Sequence, residues 1–173
     1  NKLERAKKCH QQRPGRPLLL LNGLGGCLEA WEPLTKQLIG RDIIAVDHPG
    51  TGLSSPPNHI LSMPELAEFY TQVLDHVGVS EADVLGFSFG GTIAQQMAKD
   101  FPEYVNSLLL CATAPGAGGF PADPLTIITA ANPLRYMIPL VREMAAPIIY
   151  RGRCGRHPRL FEDELAGWDA HRT

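Results

Sequence analysis

The sequence predicts an α/β fold, a parallel sheet flanked by helices, and three observations lead there. From Leu18 onward short apolar runs alternate with longer segments of helical period, as strands joined by crossover helices do. The first two of these runs end in glycine-rich loops, Asn22-Gly23-Leu24-Gly25-Gly26 and Asp47-His48-Pro49-Gly50-Thr51-Gly52, which exclude regular structure there. A small-residue turn, Gly86-Phe87-Ser88-Phe89-Gly90, falls where the third run gives way to a helical segment.

Leu18 to Leu21 reads as the first buried strand. Trp31, Leu34 and Leu38 then suggest a helix that stops at Gly40. Ile43 to Val46 forms the second strand. Ser62 and Glu65 match a capping box, and Leu66, Phe69, Tyr70, Val73, Leu74 and Val77 repeat at three and four residues up to Gly78, so this helix packs one face on the sheet. Val84 to Phe87 is the third strand, followed by a helix carrying Ile93, Ala94, Met97, Ala98 and Phe101, which Pro102 stops. Val105 to Ala112 is the fourth, with Ser107 to Cys111 reading as an apolar run buried on both faces.

Beyond Thr113 the pattern changes to Gly- and Pro-rich sequence with short helical pieces and no convincing strand. The expected organisation is therefore a polar N-terminal segment over 1–17, a core of about four parallel strands over 18–114, and a helical cap over 115–173, whose last helix opens at Pro158. Four strands alone leave a sheet edge unpaired. A further C-terminal segment or a second chain that completes the fold is the expected partner.

Bulk properties exclude several functions. The 173 residues, 44% hydrophobic, suffice for one core. Lys and Arg number 16 against 18 Asp and Glu, for a net charge of −2, and no basic stripe calls for nucleic acid. No run approaches the ~20 apolar residues of a membrane span. The four cysteines, Cys9, Cys27, Cys111 and Cys154, are widely spaced, which indicates neither a metal site nor a disulfide framework. A reducing, cytoplasmic setting is expected, with no cofactor.

The chemistry centres on Ser88. Gly-x-Ser-x-Gly between a strand and a helix makes a bend so tight that only small residues fit around the serine, and it presents the hydroxyl as a nucleophile. Acyl transfer also needs two donors for the oxyanion of the tetrahedral intermediate. The Phe89 amide, opening the next helix, is one candidate. The Leu24 amide is the other, because its loop leaves the neighbouring strand at the same sheet edge, with Asn22 and Gly23 lining the substrate's approach.

Other readings of these residues are weaker. Gly23 and Gly25 fit the first two glycines of a dinucleotide-binding loop and Asp47 lies near the spacing of a ribose-binding acid, but Leu28 occupies the third glycine position. Ser88 as an ordinary helix-opening serine leaves the surrounding glycines without a purpose. Asp47 and His48 read as bracing residues of their turn rather than triad members, since the acid and base follow the nucleophile in this fold. Downstream of Ser88 the histidines are His157 and His171, both in the cap, and Asp123 is the best local acid. None follows a strand at the sheet edge, so the base is expected outside this chain.

In order and spacing, Asn22-Gly23-Leu24-Gly25, Asp47-His48-Pro49-Gly50-Thr51-Gly52-Leu53-Ser54 and Gly86-Phe87-Ser88-Phe89-Gly90-Gly91 resemble the α/β-hydrolase superfamily. Within it, Cys111 to Ala117, Asn132 to Tyr136 and Ala146 to Tyr150 resemble the intracellular poly(3-hydroxyalkanoate) depolymerases. The resemblance implies ester hydrolysis through an acyl-serine at Ser88, the Leu24 and Phe89 amides as oxyanion hole, a cap shaping an apolar pocket, and aliphatic hydroxyacyl esters as substrates. A serine nucleophile sets the chain apart from dehalogenases and epoxide hydrolases, which attack with a carboxylate. A full family member continues past the cap with two more strands that bring the acid and the histidine. A lactonase, a carbon-carbon bond hydrolase and a catalytically incomplete scaffold that binds a ligand or partner are the alternatives.

Overall fold

The chain divides into two compact units, Asn1–Gly118 and Gly119–Thr173. The computed structural model describes residues 15–115, a strand at 7–9 and, in the second unit, only the isolated helical positions Leu125, Ile128, Thr129, Leu140 and Met144. Asp123, His157, His171, the helix expected from Pro158 and nearly all of the expected cap lie outside the described residues.

The first unit is built on a five-stranded sheet of order β1-β3-β2-β4-β5, comprising β1 (Lys7–Cys9), β2 (Leu18–Leu21), β3 (Ile43–Ala45), β4 (Ala82–Phe87) and β5 (Val105–Cys111). The last four strands run parallel, while β1 is antiparallel to β3. Leu21 pairs with Gly86 and Phe87 with Cys111. This register sets the carboxyl ends of β2, β4 and β5 side by side.

The core follows from the two-residue period of β2. Leu19 and Leu21 face α2 (Met63–His76) and α3 (Phe89–Asp100), among Tyr70, Val73, Leu74, Val84, Ile93 and Met97. Leu18 and Leu20 face the opposite layer, with Trp31, Leu34 and Leu38 packed against them. Each such buried side chain contributes about 1.5–3 kcal/mol, so a strand buried on both faces anchors both layers. The α2 helix starts where the sequence says it should: the Ser62 amide and Oγ donate to the Glu65 carboxylate at 2.8 and 2.6 Å.

The structure departs from the sequence reading in three places. The expected helix from Trp31 to Gly40 is instead a 3-10 turn (Leu28–Trp31) and a single-turn α1 (Glu32–Thr35). There the Glu32 carbonyl accepts from both Thr35 Oγ1 and the Lys36 amide at 3.1 Å, and β-branched Thr35 and Gly40 are poor helix formers for carrying the turn further. β5 is not buried on both faces. Among the described residues it is the outer strand beside β4, and Leu108, Leu109 and Leu110 are 36–44% exposed. The third departure is β1, in a segment whose basic sequence gave no strand signal; three residues on a sheet edge are specified by pairing with Ile43–Ala45 rather than by their own apolar pattern.

Candidate active site

Ser88 stands between β4 and α3 with φ 52° and ψ −115°, a conformation that costs a side-chain-bearing residue about 1–3 kcal/mol. The surroundings enforce it. Its amide donates to the Cys111 carbonyl at 2.9 Å and its carbonyl accepts from the Gly91 amide at 2.9 Å. A Cβ on Gly86 would lie 2.5 Å from the Gly90 carbonyl oxygen, and one on Gly90 2.2 Å from that of Leu21. Small residues are thus required because α3 enters the sheet edge in direct backbone contact with β2 and β4. Ser88 itself is exposed, and Phe89 opens α3, so its amide is among the first-turn N–H groups with no acceptor within the helix.

The loop after β2 lies against this turn. A Cβ on Gly23 would fall 3.2 Å from the Phe87 ring and 3.6 Å from Ser88 Cβ. The Gly23 carbonyl accepts from the Gly26 amide at 3.0 Å. In a trans peptide the N–H points opposite to the C=O, so this bond also fixes the direction of the Leu24 amide. Asn22 is 2% exposed; its side-chain Nδ2 has no hydrogen-bond partner. Ser88, Asn22, Gly23 and the start of α3 therefore come together, with the Leu24 side chain exposed at the loop tip.

Asp47 and His48 brace this arrangement. The Asp47 carboxylate accepts from the Leu28 amide at 2.8 Å and the Leu53 amide at 3.1 Å; burial raises its pKa above the usual value, against those two bonds. His48 is buried, with Nε2 2.8 Å from the Asn22 carbonyl and Nδ1 2.8 Å from the Tyr70 hydroxyl. Burial pushes its pKa down, so the ring is neutral. With both nitrogens engaged, His48 has no lone pair to offer Ser88. Its burial and its partner Tyr70 escaped the sequence reading; the available signal was a tyrosine on the buried face of α2, whose hydroxyl needs a partner.

Cys27, in the same loop, is not activated as a nucleophile. Burial and the neighbouring Glu29 push its thiol up to about 11, so the reactive thiolate is scarce at neutral pH. Among the described residues no group of three or more His, Cys, Asp or Glu side chains could hold a metal ion. Among them, too, no helix is long and apolar enough to cross a membrane.

The family model of the alpha/beta hydrolase fold matches residues 16–148. The chain belongs to the α/β-hydrolase family. It is 40% identical over 153 residues to a poly(3-hydroxyalkanoate) depolymerase of Ectopseudomonas oleovorans, a match covering 86% of this chain and 54% of the relative. Among solved structures it is similar to the N-acyl homoserine lactonase AidH, at 28% identity and a TM-score of 0.61 over 72% of this chain and 48% of that one. It is also similar to Est816, an N-acyl homoserine lactone degrading enzyme, at 25% identity and a TM-score of 0.62 over 92% and 59%. The chain thus spans about half the length of the relatives it matches.

Proposed function

We propose that this α/β-hydrolase is a serine carboxylic ester hydrolase acting on hydroxyalkanoate oligomers or related apolar esters. The observation that carries the reading is Ser88, exposed in a strained turn with the Gly23 loop against its Cβ. In this mechanism a base removes the Ser88 proton as Oγ adds to the ester carbonyl. The Leu24 and Phe89 amides hold the resulting oxyanion, and collapse expels the alcohol, which takes the proton back from the base. Water, activated by the same base, then releases the carboxylic acid and restores the hydroxyl. Asn22 and Gly23 line the approach to the acyl group.

We place the base and its acid in polypeptide outside the described residues, in a further segment or a second chain. Two facts support this: His48 has both ring nitrogens bonded, and the depolymerase relative is nearly twice the aligned length. The cytoplasmic setting and the absence of a cofactor belong to the same proposal. A lactonase is the second reading, favoured by the likeness to AidH.

Fluorophosphonate labelling of the complete polypeptide tests the nucleophile. Ser88 is expected to carry the label and Ser88→Ala to abolish it, while turnover of hydroxyalkanoate esters, lactones and diketones ranks the substrate classes. A complete polypeptide that takes no label refutes the enzyme reading in favour of a binding scaffold.

A further inference from the structure

One imidazole touches both halves of the candidate oxyanion site. His48 Nε2 meets the carbonyl of Asn22, two residues before Leu24. The same ring meets the Phe89 ring in a T-shaped contact, with centroids 5.8 Å apart and an interplanar angle of 74°. On its far side Nδ1 meets the Tyr70 hydroxyl, and the two rings lie edge to face at 5.7 Å. All three groups are buried: Asn22 is 2%, His48 4% and Tyr70 0% exposed.

The proton positions follow from the partners. A carbonyl only accepts, so Nε2 carries the hydrogen; in a neutral ring Nδ1 is then the acceptor, and Tyr70 donates to it. Burial holds the Tyr70 phenol above its ordinary value, which keeps that donor protonated. The alternative tautomer would set a lone pair against the Asn22 carbonyl and an N–H against a hydroxyl that has no other hydrogen-bond partner among the described residues.

We infer that His48 and Tyr70 form a positioning relay: Tyr70 selects the tautomer of His48, and His48 pins the Asn22–Gly23 peptide against the start of α3. The next peptide, Gly23–Leu24, is pinned by the Gly26 amide. Two successive peptide planes are thus fixed before substrate arrives, as stabilisation of a developing oxyanion requires. This relay rests on the reading of Ser88 as nucleophile and Leu24 and Phe89 as donors.

Three variants of the complete polypeptide test it: Tyr70→Phe, His48→Leu and His48→Gln. Readouts are kcat and KM on an aryl ester, the rate of fluorophosphonate labelling, melting temperature, and the imidazole tautomer by long-range ¹H–¹⁵N NMR. Tyr70→Phe and His48→Leu are expected to lower kcat and labelling roughly tenfold to a hundredfold, short of the loss for deleting an oxyanion donor outright, with KM little changed. His48→Gln, whose amide can donate to Asn22, recovers most of the rate. The wild-type ring is expected as the Nε2–H tautomer.

A packing role alone gives rates that track the folded fraction and a glutamine variant no better than leucine, and that result overturns the relay. So does an Nδ1–H tautomer, or a Tyr70→Phe enzyme with wild-type kcat. Wild-type protein that takes no label at Ser88 overturns the hydrolase reading and the relay together, whereas labelled wild type with equally labelled Tyr70→Phe overturns the relay alone.

Discussion

Gly90 sits in the first turn of α3, where intrinsic propensity and packing disagree about an alanine. In an exposed helix Gly→Ala stabilises by roughly 1 kcal/mol. Here the added methyl would lie 2.2 Å from the Leu21 carbonyl oxygen and 2.5 Å from that of Asn22. Both are backbone atoms at the end of a fully buried strand, so neither can swing aside. Restoring the 3.0 Å that real Cβ atoms keep means parting β2 from α3 by about 0.8 Å. Overpacking of this kind costs about 1–3 kcal/mol, enough to reverse the sign expected from propensity. The same shift separates the Leu24 loop from Phe89, and misplacement by ~1 Å lowers rates by up to ~10²-fold. Gly90→Ala should therefore melt below wild type and label with fluorophosphonate far more slowly per folded molecule. Gly78→Ala is the control: its φ of +71° disfavours a side chain but nothing lies within 4 Å, so it should lose stability and keep its labelling rate. A Gly90→Ala protein that melts higher and labels normally would refute the claim that direct backbone contact shapes this site.

Two further outcomes follow from local geometry. Ser88→Gly removes the side chain that makes φ 52°, ψ −115° costly; the melting temperature should rise by the equivalent of about 1 kcal/mol or more while labelling is lost, and an unchanged or lower melting point would mean the turn is unstrained. Glu65 is held down at about 2 by hydrogen bonds from the Ser62 side chain and backbone and from His59. Because its folded value lies below the ordinary 4.5, its stabilising effect is full above 4.5 and is lost as pH falls towards 2; the melting difference between wild type and Glu65→Gln should shrink across that window, and a difference that stays constant through it would discount the carboxylate.

The parts of the fold legible in the sequence are those whose cause is local. Leu18 to Leu21 reads as a buried strand because four consecutive leucines have no exposed face to offer, and the spacing from Leu66 to Val77 reads as α2 because its period is helical. The glycines around Ser88 likewise announce a crowded turn, though not what crowds it: the Leu21 and Asn22 carbonyls come from sixty-odd residues away in the chain. What stayed hidden depends on neighbours. Leu108 to Leu110 look like a central strand, yet among the described residues β5 pairs with β4 alone. The string Asp47-His48-Pro49-Gly50 reads as a braced turn, but its pattern does not show that both polar residues are buried, which depends on Tyr70 of α2 meeting His48.

That burial has a consistent logic. Asp47 and His48 are adjacent, and between them they tie down both ends of the loop that carries Leu24: His48 holds Asn22 at its start, and Asp47 holds Leu28 beyond its end. Burial works against each in opposite directions of pH. The stability His48 contributes by staying neutral is present above the ordinary 6.5 and is lost as pH falls through its depressed folded value. For Asp47, whose folded value is raised above 3.8, stability is greatest below 3.8 and declines as pH rises through that raised value. Apolar residues in both places would avoid these costs. They would also free the Asn22 carbonyl and the Leu28 and Leu53 amides at the mouth of the sheet, leaving the loop to find its own conformation. Polar burial at the ends of β2 and β3 is thus the feature that turns a flexible glycine-rich connection into a fixed wall beside Ser88.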